Sequence, residues 1–158
     1  MRPIDEKEQP VTTTFGFVAK TFGSVQWQGG MWDGEGAIST KSGALTDYPY
    51  GFASRFEGKP GSNPEELIGA AHAACFTMTL SRIFGEAELT AEHMETKAEV
   101  TLEKQSDGFA ITSVQLTLAA RVPGADSKMF TTLVGMAKMG CPISKLFNTN
   151  ITLDATLL

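Results

Sequence analysis

From Met94 to Glu103 the chain alternates without a break. Met94, Thr96, Ala98, Val100 and Leu102 take one side, and Glu95, Lys97, Glu99, Thr101 and Glu103 the other. After Asp107-Gly108, the residues Val114, Leu116, Leu118, Ala120 and Val122 alternate with Ser113, Gln115, Thr117, Ala119 and Arg121. A period of two sends successive side chains to opposite faces of a sheet, so this region predicts a two-stranded hairpin with one face on a core and one in water. Pro123-Gly124 ends it.

The period changes on either side. Asn63, Pro64, Glu65 and Glu66 have the order of a helix start: a side-chain cap, proline at the first helical position, then acids in the first turn. Glu66 stands where a capping-box carboxylate reaches back. The helix is predicted to run to Phe84 and stop at Gly85. Apolar residues surround it on nearly every side, which marks a buried helix, and the small run Gly69–Ala74, interrupted by His72, lets another element come close. A second helix, Asp126–Met139, is amphipathic, with Phe130, Leu133, Val134 and Ala137 at i, i+3, i+4 and i+7. A short helical turn restarts at Pro142, and Ile151, Leu153, Ala155 and Leu157 alternate as a last strand.

Before the long helix, Val25 and Trp27 alternate with polar neighbours, and Gly29-Gly30, Asp33-Gly34 and Ser42-Gly43 mark turns. Three or four short antiparallel strands are predicted, the last carrying Tyr50, Phe52, Ser54 and Phe56, with Arg55 on it or at its end. The order of strands, helix, two strands, helix and strand is that of an α+β domain with segregated helices.

At 158 residues the chain has the length of one domain. Residues 1–14 are polar, with two prolines and no apolar h-region, and are expected to be a flexible tail before a single domain at 15–158. A net charge of −5 lacks the basic footprint of a nucleic-acid binder and disfavours anionic membranes, and no apolar run reaches the roughly 20 residues of a membrane span. Two cysteines are too few for a disulfide framework, and in a leaderless cytoplasmic protein they are reduced by default, which turns attention to their chemistry.

Cys75 lies midway along the apolar helix, where a cysteine ordinarily packs as a small hydrophobe. Cys141 precedes Pro142 and caps a new helical turn, a position that lowers a thiol pKa. Local physics alone therefore favours Cys141 as the reactive thiol. Their separation of 66 positions excludes a CxxC motif or a zinc ribbon. His72, three residues before Cys75, fits a Cys–His nucleophile pair or two metal ligands, but a core histidine with its hydrogen bonds satisfied fits better. The methionines and phenylalanines of both helices read as core, with an apolar substrate pocket as the other possibility. Arg55 and Glu65 are close enough in sequence to pair. Such a pair is ordinarily a surface salt bridge of small value, yet an arginine beside a cysteine stabilises a thiolate and hydrogen-bonds a peroxide oxygen.

The segment Phe52-Ala53-Ser54-Arg55-Phe56-Glu57-Gly58, the run Asn63-Pro64-Glu65-Glu66-Leu67 continuing to Cys75-Phe76, Gly140-Cys141-Pro142 and Ile151-Thr152-Leu153-Asp154 together resemble the osmotically inducible protein C family. The resemblance spans roughly residues 22–157, and the arginine segment is similar to the osmotically induced branch rather than to its sister, the organic hydroperoxide resistance proteins. It implies an OsmC-like fold: an intertwined homodimer with two long central helices between antiparallel sheets. It implies a thiol-dependent peroxidase with Cys75 as peroxidatic thiolate, Cys141 as resolving thiol, Arg55 positioning the peroxide and Glu65 holding Arg55. The substrate would be an organic hydroperoxide and the reductant a dithiol such as a dihydrolipoyl group, with no metal or organic cofactor and with neither nucleic acid nor membrane as partner. On this point the resemblance overrules the local preference for Cys141. Read from the residues alone, a non-catalytic protein holding an apolar ligand between its helices, or a Cys–His hydrolase using His72, stays open. In one continuous helix Glu65 and Cys75 lie about 15 Å apart along the axis, so a site using both needs a second chain.

Overall fold

The computed structural model describes residues 18–158, and the expected tail at 1–14 lies outside the described residues. Strands β1 (Gly23–Gln28), β2 (Glu35–Thr40) and β3 (Tyr48–Gly51) form a small antiparallel sheet in sequence order. Strand β1 is exposed along its whole length, Val25 and Trp27 included, in contrast to the half-buried strand that its alternation suggests.

The expected strand through Phe56 is a correction. The strand ends at Gly51 and a short helix, α1 (Phe52–Phe56), takes over. The Ser54 hydroxyl closes the turn: it accepts the Gly51 N–H at 2.9 Å and reaches the Ser62 carbonyl at 2.8 Å. Phe52 and Phe56 fit a period of two, but they also stand at i and i+4, and their rings meet at 4.9 Å. Gly61 (φ 131°) completes the link to the next helix, because a Cβ there would lie 2.8 Å from the Pro49 carbonyl.

Helix α2 (Pro64–Glu86) is unbroken. The Asn63 side chain accepts the Glu66 N–H at 2.8 Å, as the sequence predicts. The Glu66 carboxylate, however, takes the Ser62 hydroxyl at 2.7 Å. The helix continues through Gly85 and is capped at Ala87, slightly beyond the predicted stop.

The second sheet has β5 (Gly108–Arg121) at its centre, between β4 (His93–Gln105) and β6 (Asn150–Leu157). The β4–β5 hairpin is antiparallel from His93 opposite Arg121 to Gln105 opposite Gly108. Strand β6 pairs with β5 in parallel, Ser113 opposite Asn150, so this sheet is mixed rather than wholly antiparallel. The intervening helices, α3 (Ser127–Gly140) and α4 (Pro142–Leu146), supply the crossover that a parallel neighbour requires.

The core lies between this sheet, α2 and α3. Phe76, Leu80 and Phe84 of α2 meet Leu116, Leu118 and Ala120 of β5 and Phe130, Val134 and Ala137 of α3. At Gly69 the helix backbone approaches β4, and a Cβ there would stand 2.7 Å from the Ala98 carbonyl. The opposite face of α2 (Ala70, Ala71, Ala74 and Met78) is exposed. Met129, Met136 and Met139 of α3 are exposed as well, so these methionines are not core residues as their composition suggests. By length and hydropathy alone α2 meets the requirements of a membrane span. Its buried stripe instead serves the protein core.

Candidate active site

The α2–α4 junction brings the two cysteines together. Both are free thiols. Cys141 is the cap residue of α4, with no side-chain capping bond, and it is 0% exposed in the core. Cys75, on α2, is half-buried. Burial pushes the Cys75 thiol above its ordinary pKa, and the adjacent Cys141 thiol adds to that; the Ile143 amide and the Thr79 hydroxyl donate to it and pull it down. Neither donor is apparent from residue patterns around Cys75. Thr79 is one helical turn away, and Ile143 is delivered by the restart at Pro142, the one local signal that anticipates it.

His72 lies on the same junction, fully buried. Its Nε2 is 2.8 Å from the Ser144 hydroxyl of α4, and its ring meets Phe147 edge-on at 5.2 Å. Burial lowers its pKa, which favours the neutral ring. The expectation of a fully satisfied core histidine holds for one nitrogen only, because Nδ1 is buried without a hydrogen-bond partner. The ring engages Ser144 rather than Cys75, which leaves the Cys–His hydrolase reading without its base. Among the described residues no group of three or more His, Cys, Asp or Glu gathers as a metal site would require.

A second cluster sits at the start of α2. Arg55 of α1 and Glu65 form a two-pronged ion pair, Nε to Oε2 at 3.1 Å and Nη2 to Oε1 at 2.6 Å. Parallel N–H···O bonds of this kind fix the plane of the guanidinium. The Arg55 head also stands 5.1 Å from the centre of the Phe56 ring. The Ser54–Ser62 bond and the Asn63 cap lock α1 against α2, so the pair is set by local chemistry. The four site residues named from the sequence thus form two pairs, Cys75 with Cys141 and Arg55 with Glu65. Ten residues of unbroken α2 hold the pairs about 15 Å apart along the helix.

The chain matches the sequence profile of the OsmC-like protein family over residues 56–156. It is 50% identical over 135 residues to peroxiredoxin OsmC of Escherichia coli strain K12, covering 85% of this chain and 94% of the relative. The crystal structure of the organic hydroperoxide resistance protein OhrB of Bacillus subtilis superposes with a TM-score of 0.64 at 28% identity, covering 85% of this chain and 98% of that one. An OsmC-like protein from Mycoplasma pneumoniae shares the fold with a TM-score of 0.72 at 14% identity, over 90% of this chain and 99% of that one. With the profile matched across most of its length and half of 135 aligned residues identical in the E. coli protein, the chain belongs to the OsmC-like protein family.

Proposed function

We propose that this chain is a cysteine-based peroxidase that reduces organic hydroperoxides to alcohols. The single observation that carries the reading is the pairing of two thiols of unequal access. Residues 66 positions apart meet at one junction, where Cys75 is half-buried and Cys141 is sealed. A peroxide reaches the first, and the second stands ready to close on it. The names of the relatives, a peroxiredoxin and an organic hydroperoxide resistance protein, support the same chemistry.

In the first step the Cys75 thiolate attacks the distal peroxide oxygen. The O–O bond breaks, the alkoxide leaves and takes up a proton as alcohol, and Cys75 becomes a sulfenic acid. Cys141 then attacks that sulfur. The S–O bond breaks, water leaves, and a Cys75–Cys141 disulfide forms. A dithiol, with a dihydrolipoyl group as the expected form, returns two electrons by thiol–disulfide exchange. Arg55 holds the peroxide and stabilises the thiolate, and Glu65 holds Arg55.

That role for Arg55 requires a second chain, because α2 separates the two pairs. The active form is therefore a homodimer. In an antiparallel crossing of two α2 helices that sets Cys75 beside Glu65 of the partner subunit, the midpoint falls at residue 70. That position is an exposed alanine on the small-residue face, which permits a close crossing. The reaction is placed in the cytoplasm, where dithiol reductants keep the thiols reduced. Steady-state reduction of cumene hydroperoxide tests the reading, with dihydrolipoamide and glutathione compared as donors. Turnover sustained by the dithiol is the expected result, and binding of the peroxide without its consumption would contradict it.

A further inference from the structure

The α2–α4 junction has a regularity that the proposed chemistry does not use. His72 and Cys75 are three residues apart on α2; Cys141 and Ser144 are three residues apart at the start of α4. Cys75 faces Cys141, and His72 faces Ser144 at 2.8 Å. The two contacts are rungs between helices that run in opposite directions, since the later residues of α4 meet the earlier turn of α2. Phe147, just after α4, closes the far end against the His72 ring. With only five residues, α4 has little internal hydrogen bonding to hold it in place, so its position is set from outside: by the end of α3, where the Cys141 N–H bonds the Ala137 carbonyl at 2.9 Å, and by its contacts with α2.

The composition of the second rung is what calls for an explanation. An imidazole that is fully buried, with Nδ1 unpartnered, is a poor packing residue. Its one hydrogen bond is directional and ends on the helical turn that carries Cys141. We infer that His72 and Ser144 are positioning residues for the resolving step: their hydrogen bond fixes α4 against α2 so that the Cys141 sulfur stays in line with Cys75 after Cys75 has been oxidised. When Cys75 becomes a sulfenic acid, the first rung is lost as a thiol–thiol contact, and the His72–Ser144 rung remains to hold the register until the disulfide forms. The inference rests on the assignment of Cys75 and Cys141 proposed above. It adds two residues that touch neither peroxide nor reductant.

The test separates the two chemical phases. Full-length protein is reduced, mixed with one equivalent of cumene hydroperoxide and quenched over time. Cys75 sulfenic acid is read by dimedone labelling and the disulfide by intact mass. In the wild type the sulfenic acid is short-lived. In Ser144→Ala, disulfide closure is expected to slow by about tenfold or more, because small displacements of a reacting group are costly in rate, so sulfenic acid accumulates. The first oxidation should change by less, since Thr79 on the helix of Cys75 itself is untouched and only the Ile143 amide, carried by α4, can shift. Ser144→Thr restores the hydroxyl and should restore closure. His72→Phe should act like Ser144→Ala, and the double variant should be no slower than either single one, as two ends of one bond require.

Closure at the wild-type rate in Ser144→Ala would overturn the inference. So would an equal slowing of both phases, or failure of Ser144→Thr to rescue. If the wild type forms neither the sulfenic acid nor the disulfide, the peroxidase reading itself falls and takes the inference with it.

Discussion

The two pairs along α2 are built in opposite ways. Arg55 and Glu65 are ten positions apart in sequence, joined through a short helix and a turn, with side chains 34% and 14% exposed. Cys75 and Cys141 are 66 positions apart, and Cys141 is sealed inside the core. The charged pair is partly exposed on the arginine side, where the guanidinium has N–H donors beyond the two that Glu65 takes. A thiol pair that must close a covalent bond needs a dry, rigid setting, because disulfide geometry tolerates little displacement. The thiol half of the site is thus complete within one chain. The charged half is complete as a pair but lies a fixed helix length from any sulfur. Helix α2 holds them apart, and the proposed division of labour between subunits rests on its being unbroken.

The sharpest way to break this comparison is to remove the thiols one at a time. Cys75→Ser is expected to abolish peroxide consumption. Cys141→Ser should still oxidise once at Cys75 and then stall without an intramolecular disulfide. Mass spectrometry after one equivalent of peroxide reads both, and a fully reduced Cys141→Ser beside an oxidised Cys75→Ser would reverse the roles.

Arg55→Ala strikes the charged half. Loss of a cation aimed at developing negative charge costs about a hundredfold in rate. Burial already pushes the Cys75 pKa up within the single chain. In the proposed dimer, Arg55 of the partner subunit would favour the thiolate, so the Arg55→Ala midpoint is expected to move upward and the rate profile to shift to higher pH. Alkylation rates measured against pH report this, and an unchanged midpoint would remove Arg55 from the site.

Smaller effects distinguish the two faces of α2 itself. Gly69 faces β4 and has no room for a side chain, so Gly69→Val should destabilise the fold by about 1–3 kcal/mol, read by urea unfolding. Its neighbour Ala70 faces outward. Ala70→Glu should keep the far-UV circular dichroism of the fold and give monomers by light scattering. A dimeric Ala70→Glu would place the interface elsewhere.

What the sequence revealed follows the range of the interactions. The start of α2 was legible because Asn63, Pro64 and Glu66 act within one turn. The β4–β5 hairpin was legible because one wet face forces strict alternation. The segment around Phe52 and Phe56 was misread, since two aromatics four apart satisfy both periods and a serine hydroxyl decided between them. The methionines of α3, which the pattern assigns to the core, and strand β1, which it makes half-buried, are exposed for a related reason: an apolar side chain does not say what will cover it. Contacts made at the α2–α4 junction span 66 and 72 positions and leave no local trace. The cysteine pairing was available from family resemblance, whereas the His72–Ser144 contact was available only from the structure.

The claim that the two halves meet between subunits has a direct test. Cys75→Ser and Glu65→Ala chains, each inactive alone, are refolded together, and heterodimers are isolated. If each site takes its thiols from one chain and its carboxylate from the other, a heterodimer has one site with both lesions and one with neither. About half the wild-type activity should then return per heterodimer. Isolated heterodimers that recover no activity would contradict the shared site.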